Sequence, residues 1–180
     1  MSHRPSPASG FLQPLPVVAL LMLALNDHVL KGSGAPGWLT GKLSDVAGMI
    51  FFPLLLQAAW ELLRARLGAP WGPSRRVLIG CVVATAAVFG SIQVMPGAGE
   101  AYRWGLGALQ WPFRAVVLML QGRPCPSVLP VQLTPDPSDL LTVPFVLVAL
   151  AAGWRRTAPS LSADATPPED RPSAVGREPA

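Results

Sequence analysis

The chain has 180 residues, of which 51% are hydrophobic and 13% are charged, and its formal net charge is +4. About a quarter of the residues in a soluble domain are charged, so this composition argues against a soluble globular protein. The basic balance does not predict nucleic-acid binding either, because the Lys and Arg residues form no run interleaved with aromatic residues. Charged residues are instead scarce in four apolar blocks.

Each of the four blocks approaches the length of about 20 residues that a helix needs to cross the hydrocarbon core. They cover residues 11–30, 46–63, 77–95 and 140–154. The fourth block is short, so it needs either an upstream extension or a thinned bilayer. The pattern predicts an all-α polytopic membrane protein with four transmembrane helices, in contact with the lipid bilayer.

Residues 100–121 carry apolar side chains at helical spacing and polar side chains on another face. This pattern predicts an amphipathic helix, with Trp104 and Trp111 suited to the membrane interface. A fifth span here would move Arg155 and Arg156 to the opposite side of the membrane, against the positive-inside rule. We therefore predict an interfacial helix that lies on the outer surface or is partly re-entrant, with a spanning helix as the alternative.

The distribution of basic residues predicts the orientation of the spans. Four Arg residues lie between the second and third blocks and two follow the fourth, whereas the first loop contains only Lys31 and Lys42. Because Lys and Arg concentrate in cytoplasmic loops, both termini are predicted to be cytoplasmic. An uncleaved first span is preferred to a signal peptide cleaved near residue 35, because that position lies well beyond the apolar region.

Composition also predicts the domain boundaries. Residues 155–180 are rich in Pro, Ala and charged residues and contain almost no large apolar side chain. Such a segment cannot bury a core, so it is predicted to be a disordered cytoplasmic tail. Residues 1–10 are predicted to be a disordered cytoplasmic leader, which leaves residues 11–154 as a four-helix membrane domain.

Polar side chains interrupt the apolar pattern where the first block ends and where the second and fourth begin. Ionisable groups at membrane depth are functional-site hypotheses by default. In the predicted topology they form one polar cluster at the outer membrane face. The candidate site residues are Asp27, His28, Lys42, Asp45 and Asp139.

Four acidic residues have local explanations that need no function. Asp45 and Asp139 each follow a serine directly before an apolar run, which is the pattern of a helix N-cap. Asp136 lies between two prolines and fits a turn, with membership of the cluster as the alternative. Glu61 precedes Arg64 by three residues and is predicted to form a surface pair with it.

Asp27 is the carboxylate that most needs an explanation. It lies in the last turn of the first helix, at the end of the helix dipole that disfavours a negative charge. A pair with Lys31, four residues on, contributes only about 0.5 kcal/mol, less than the few kcal/mol that a charge in the membrane costs. We therefore expect a further partner for Asp27. The candidates are Lys42, Arg114, a bound cation and a proton.

Cofactor and metal motifs are missing from the sequence. The chain has two cysteines and two histidines, and one of the histidines is His3 in the leader. Neither a His-Glu-x-x-His motif nor a P-loop is present. No metal site and no cofactor are predicted.

Three short motifs fall in the first, second and fourth apolar blocks or directly before them. They are Asn26-Asp27-His28-x-x-Lys31, Thr40-Gly41-Lys42-Leu43-Ser44-Asp45-x-Ala47-Gly48 and Asp136-x-x-Asp139-Leu140. In these motifs the chain resembles a family of uncharacterised multi-pass bacterial membrane proteins. The resemblance implies a location in the bacterial inner membrane, and it implies no activity.

Three hypotheses of function remain open. The first is a small transporter or assembly subunit, which would use the ionisable cluster as a proton or cation relay and would need an oligomer or a membrane protein partner. The second is an enzyme acting on a lipid or envelope precursor, with Asp27 or His28 as general base and with Lys42 and Arg114 binding an anionic head group. The third is a purely structural cluster that joins the spans.

Overall fold

The computed structural model of the protein describes residues 6–34 and 36–157. Within these ranges the regular elements are all helical and no strand occurs. Predictions that concern residues 1–5, residue 35 and residues 158–180 lie outside the described residues. These predictions are the first half of the leader, the candidate cleavage position and most of the tail.

The described part of the chain contains five α-helices and three 3-10 segments. The α-helices are α1 Pro14–His28, α2 Gly37–Arg66, α3 Arg75–Val94, α4 Pro96–Leu120 and α5 Val146–Arg156. The 3-10 segments are Ser9–Leu12, Leu30–Gly32 and Pro137–Phe145, the last of which continues directly into α5.

Four helical stretches in the described residues are long and apolar enough to cross a membrane. They are Pro14–Gly32, Gly37–Arg66, Arg75–Val94 and Pro137–Arg156. We refer to Pro137–Arg156 as the fourth span. The prediction of an all-α polytopic membrane protein with four spans and one further amphipathic helix, α4, is confirmed.

The fourth span gains its length from an upstream extension. The apolar block of residues 140–154 is preceded by three residues of the 3-10 segment and followed by Arg155 and Arg156 of α5, which brings the helical stretch to 20 residues. Asp136 begins the segment as its N-cap, because its carboxylate accepts a hydrogen bond from the backbone N–H of Ser138 at 2.8 Å. The upstream extension that the sequence predicts as one alternative is therefore present in the helix.

The second span begins earlier than the sequence predicts. Helix α2 starts at Gly37, so Asp45 lies more than two turns inside the helix and is not its N-cap. The prediction of a cap is wrong for Asp45, and in the fourth span the cap is Asp136, while Asp139 lies in the first turn. Two glycines and several polar residues weaken the helix propensity of residues 37–45, but packing against α1 and the fourth span overrides that preference.

The core lies where α2, α3 and α5 meet. It is built from buried Met49, Leu54, Leu78, Val82, Val146 and Ala149. Gly153 lets α5 approach α3 closely, because a Cβ atom at this position would lie 2.7 Å from a methyl carbon of Leu78. Close packing of this kind, rather than the hydrophobic effect, drives the association of helices inside a bilayer.

Much of the apolar surface remains uncovered by protein. Only 17% of the apolar window of the first span and 22% of that of the fourth span are buried within the molecule. Large apolar side chains such as Leu21, Val83 and Leu147 are between 58% and 62% exposed. These surfaces are consistent with contact between the helices and the lipid bilayer.

The ends of the membrane domain have defined contacts. Ser9–Leu12 forms a turn against α2, and α5 continues to Arg156. Residues 9–10 and 155–156, which were assigned to the leader and the tail, are therefore part of regular elements. The remaining domain boundaries and the disorder of the leader and tail stay predictions.

Candidate functional site

Helix α2 separates the predicted polar residues into two groups. Successive residues of an α-helix are about 100° apart around its axis. Thr40 and Ser44, four residues apart, therefore share one side of α2, whereas Lys42 and Asp45, three residues apart, share nearly the opposite side. The first side contacts α1 and the second contacts the fourth span.

The α1 side of α2 binds Asn26. The side chain of Asn26 is fully buried, and its amide nitrogen donates to the carbonyl oxygen of Thr40 at 2.8 Å and to the hydroxyl of Ser44 at 2.6 Å. Because a carbonyl oxygen can only accept, the contact with Thr40 fixes the orientation of the amide. These bonds join α1 to α2 in the way that polar side chains join helices within membranes.

The opposite side of α2 carries the closest grouping of predicted site residues. Lys42 Nζ lies 2.9 Å from Asp139 Oδ1 and 2.8 Å from the hydroxyl of Ser138. The carboxyl group of Asp45 lies close to that of Asp139. We call Lys42, Asp45 and Asp139 the Lys42 site. It joins α2 to the first turn of the fourth span.

Charge is not balanced within the Lys42 site. Two carboxyl groups share one ammonium group, so the site carries one excess negative charge when both carboxyl groups are ionised. Carboxylates in contact repel one another, and a proton, a cation or the ammonium of Lys42 can relieve that repulsion. The half-buried position, with Lys42 31% and Asp139 16% exposed, weakens the screening by water.

Asp136 adds a further carboxylate beside this site, outside the spans. The hydrogen bonds from Ser138 hold the pKa of Asp136 below its ordinary value, and the positive charge of Lys42 acts in the same direction. The backbone N–H of Asp136 donates to the side-chain oxygen of Gln93 at 3.0 Å. The start of the fourth span is thereby tied to the end of α3.

Asp27 and His28 lie apart from these contacts. Asp27 Oδ1 binds Lys31 Nζ at 2.6 Å, and both side chains are 52% exposed. Lys31 is therefore the observed partner of Asp27, and Lys42, one of the candidates for a further partner, binds Asp139 instead. His28 ends α1 with an exposed side chain.

The other end of the bundle contains an ion pair that the sequence does not indicate. The guanidinium of Arg156 binds both oxygens of Glu61, at 3.0 and 2.9 Å, and Glu61 is only 1% exposed. The backbone N–H of Ala8 donates to the same carboxylate at 3.1 Å. The predicted surface pair of Glu61 with Arg64 is wrong, because Arg64 donates to the carbonyl of Pro70.

A signal for the buried pair exists only in part. Glu61 follows Gln57 by one helical turn within an apolar stretch of α2, which indicates a polar partner on that side. Its partner Arg156 is 95 positions away, and local spacing cannot identify it. In the described residues, no group of three His, Cys, Asp or Glu side chains is placed to hold a metal ion.

No protein-family model matches the chain, and neither a curated protein nor a solved structure matches it. The class of protein is therefore taken from the fold alone. The protein is an all-α polytopic membrane protein whose second and fourth spans are joined by an ion pair at each end of the bundle.

Proposed function

We propose that the protein is a multi-pass protein of the bacterial inner membrane that acts as a small transporter or assembly subunit. In this proposal the Lys42 site binds and releases a proton or a small monovalent cation. The observation that carries the proposal is the ion pair of Lys42 with Asp139, with the carboxyl group of Asp45 close to that of Asp139, within two candidate spans. Ionisable groups at such depth are expensive, and relays of protons and ions use them.

The chemistry of the proposed site is an exchange of partners. With both carboxyl groups ionised, Lys42 can neutralise only one of them. When a proton or cation occupies Asp45 or Asp139, the other carboxylate is free to hold Lys42. Because Lys42 and Asp45 belong to α2 and Asp139 to the fourth span, occupancy changes the attraction between the two spans.

Orientation and location are part of the proposal. The Arg residues between α2 and α3 and at the end of α5 favour a cytoplasmic position for that end of the bundle. The Lys42 site then faces the outer side, and both termini are cytoplasmic. Fusion of a reporter that fluoresces only in the cytoplasm to the C-terminus tests this orientation, and a dark fusion would contradict it.

We also propose an oligomer or a membrane protein partner. Four spans are few for a carrier that works alone, and large apolar side chains of the first and fourth spans remain uncovered. The resemblance to the family of uncharacterised multi-pass bacterial membrane proteins supports the location and supplies no activity. Mass measurement of the protein extracted in native lipid discs distinguishes a single copy from an assembly.

Transport is tested with purified protein in liposomes that enclose a pH-sensitive dye, and in a second set that encloses a dye sensitive to Na⁺ or K⁺. We expect a proton or monovalent-cation flux that is lost in Asp45→Asn and Asp139→Asn. Asp27→Asn is the matched control, because it removes a paired carboxylate outside the Lys42 site and should leave the flux unchanged. The absence of flux from the unaltered protein, alone and with co-purified partners, would contradict a transport role.

A structural role for the Lys42 site is the second candidate. It is favoured by the Glu61–Arg156 pair, because that pair joins the same two spans at the other end as a purely structural contact would. If the site only joins the spans, Asp139→Asn lowers the melting temperature and changes neither flux nor pH response. The enzyme hypothesis has less support, because Asp27 pairs with Lys31 while Lys42 pairs with Asp139.

A further inference from the structure

Helix α4 and the chain that follows it form an arm. Residues 122–136 run back along α4 in the opposite direction, as three successive contacts show. Arg103 exchanges hydrogen bonds with Val131, Gly107 lies against the carbonyl of Leu129, and the indole N–H of Trp111 donates to the carbonyl of Pro126 at 2.7 Å. We call α4 with residues 122–136 the arm.

Gly107 makes this close packing possible. A Cβ atom at this position would overlap the carbonyl oxygen of Leu129, so any larger residue would push the returning chain away. The returning chain contains four prolines, which favour an extended course and need no hydrogen-bond acceptor for a backbone N–H. The side chains of Arg103 and Trp111 on this side of α4 thus find their hydrogen-bond partners inside the arm.

The opposite side of α4 is apolar and uncovered. Phe113 is 74% exposed and Leu120 is 84% exposed. At about 100° per residue, ten exposed residues share this side, and none of them carries a charge or an amide. They are Ala101, Tyr102, Gly105, Ala108, Leu109, Pro112, Phe113, Val116, Met119 and Leu120. A helix of a soluble protein packs its apolar side against the core, whereas the apolar side of α4 faces outward from the arm.

We infer that the arm lies in the membrane interface, with the apolar side of α4 in contact with lipid acyl chains and residues 122–136 on the aqueous side. The occupant of the uncovered side is thus the bilayer itself. This inference concerns a surface away from the Lys42 site and does not depend on the proposed function.

Chain connectivity supports lipid as the occupant. A single residue, Met95, separates α3 from α4, and both Val94 and Met95 are more than half exposed. The apolar surface of the third span therefore continues into α4. The arm also ends at the membrane domain, because Asp136 is hydrogen-bonded to Gln93 near the end of α3.

The composition of the uncovered side argues against a protein partner. Protein interfaces contain about one hydrogen bond per 100–200 Å². Among the ten residues of this side, only Tyr102 carries a side-chain hydrogen-bonding group. A surface with one such group over a helix of 25 residues fits hydrocarbon better than it fits another protein.

Pro112 indicates the depth of the arm. Proline lacks a backbone N–H, so the carbonyl of Ala108 loses its donor within the helix. An unpaired carbonyl is unfavourable in the hydrocarbon core but is hydrated at the level of the head groups. The arm is therefore expected to lie at the boundary, with its apolar side about 5–10 Å below the head groups.

Spin labels and two paramagnetic quenchers test the inference in lipid nanodiscs. The full-length protein first receives Cys81→Ala and Cys125→Ser, and then one labelled cysteine at Leu109→Cys, Phe113→Cys or Gln110→Cys. We expect labels at positions 109 and 113 to collide more with oxygen, which dissolves in lipid, than with a water-soluble nickel chelate. The label at position 110, next to 109 but on the polar side, should show the reverse preference.

Two results would overturn the inference. Strong collision with the nickel chelate at positions 109 and 113 would place the apolar side in water. Low collision with both quenchers would show that protein, such as a second copy of this chain, covers it. Two labelled positions are used because agreement between them excludes a local distortion at either one, and circular dichroism checks that each variant remains helical.

Discussion

The two ends of the bundle join the same pair of spans by different means. At one end Lys42 binds Asp139 through a single ionic contact, and both side chains are partly exposed. Asp45 is a second carboxyl group that competes with Asp139 for Lys42. At the other end Glu61 and Arg156 form two contacts, are nearly buried, and receive further hydrogen bonds from Ala8 and Gln57. In the proposed function the Lys42 site changes partners, whereas the Glu61–Arg156 pair keeps its partners.

This difference distinguishes a candidate exchange site from a structural ion pair. A buried ion pair remains stable when its geometry is good and additional hydrogen bonds satisfy the remaining atoms, as they do around Glu61. The Lys42 site lacks that completeness, because one of its two carboxyl groups is left without a full positive partner. An unbalanced charge that lies within reach of water is what a site for proton or cation exchange requires.

The largest effect is expected from a substitution that breaks the Glu61–Arg156 pair. Arg156→Ala leaves the carboxylate of Glu61 buried without its partner, so the free energy of unfolding should fall by about 3–5 kcal/mol. Thermal unfolding in detergent measures the loss. Arg155→Ala is the matched control, because Arg155 is exposed at the neighbouring position and should change stability little. Equal effects of the two substitutions would contradict the buried pair.

The next effect concerns the packing of α5 against α3 at Gly153. Gly153→Ala places a methyl group 2.7 Å from a side-chain carbon of the buried Leu78, so we expect a loss of about 1–3 kcal/mol from overpacking. Gly80→Ala is the control, because nothing lies within 4 Å of the added carbon. The control should be neutral or slightly stabilising, since alanine favours a helix more than glycine does.

Smaller effects are expected at Asp139 and Asp27, the two carboxylates that bind a lysine. Asp139→Asn should lower the melting temperature less than Arg156→Ala does, because Lys42 can turn to Asp45 and the repulsion between the two carboxyl groups disappears. Asp27→Asn should lower stability least, by about 0.5 kcal/mol or less, because its pair with Lys31 is local and half exposed. Thermal unfolding of both variants at one pH measures the order, and the reverse order would contradict the assignment of Asp139 to the site.

The last effect follows from the cap of the fourth span and depends on pH. The folded-state pKa of Asp136 is lowered by its bonds with Ser138, so its contribution is present above the ordinary pKa of 3.8 and is lost as the pH falls through the lowered value. Asp136→Ala should therefore reduce stability at neutral pH and should match the unaltered protein at strongly acidic pH. Melting curves recorded from neutral to acidic pH test this convergence.

The spans could be predicted because hydropathy is a local property of the chain. Their ends were less accessible: the start of α2 at Gly37 depends on contacts with α1 and the fourth span, which override the weak propensity of a stretch with two glycines. As a result, Asp45 was interpreted as a cap although it lies inside the helix.

The candidate site was predictable in its residue types but not in its pairing. Lys42, Asp45 and Asp139 are all predicted as site residues, yet the sequence singles out Asp27, because a single sequence shows only the neighbours that are close along the chain. Lys42 and Asp139 are 97 positions apart. Separating Asn26 from the Lys42 site also required the true start of α2, since only then are the residues on each of its sides defined.

The tighter winding of the fourth span has a consequence for the membrane that it fits. Its nine residues of 3-10 helix rise about 2 Å each and its eleven α-helical residues about 1.5 Å each. The 20 residues therefore extend about 34 Å, against about 30 Å for a uniform α-helix of that length. The apolar part of 15 residues, 140–154, accordingly extends about 26 Å rather than the about 22 Å of a uniform α-helix, which brings it closer to the thickness of about 30 Å of a typical hydrocarbon core.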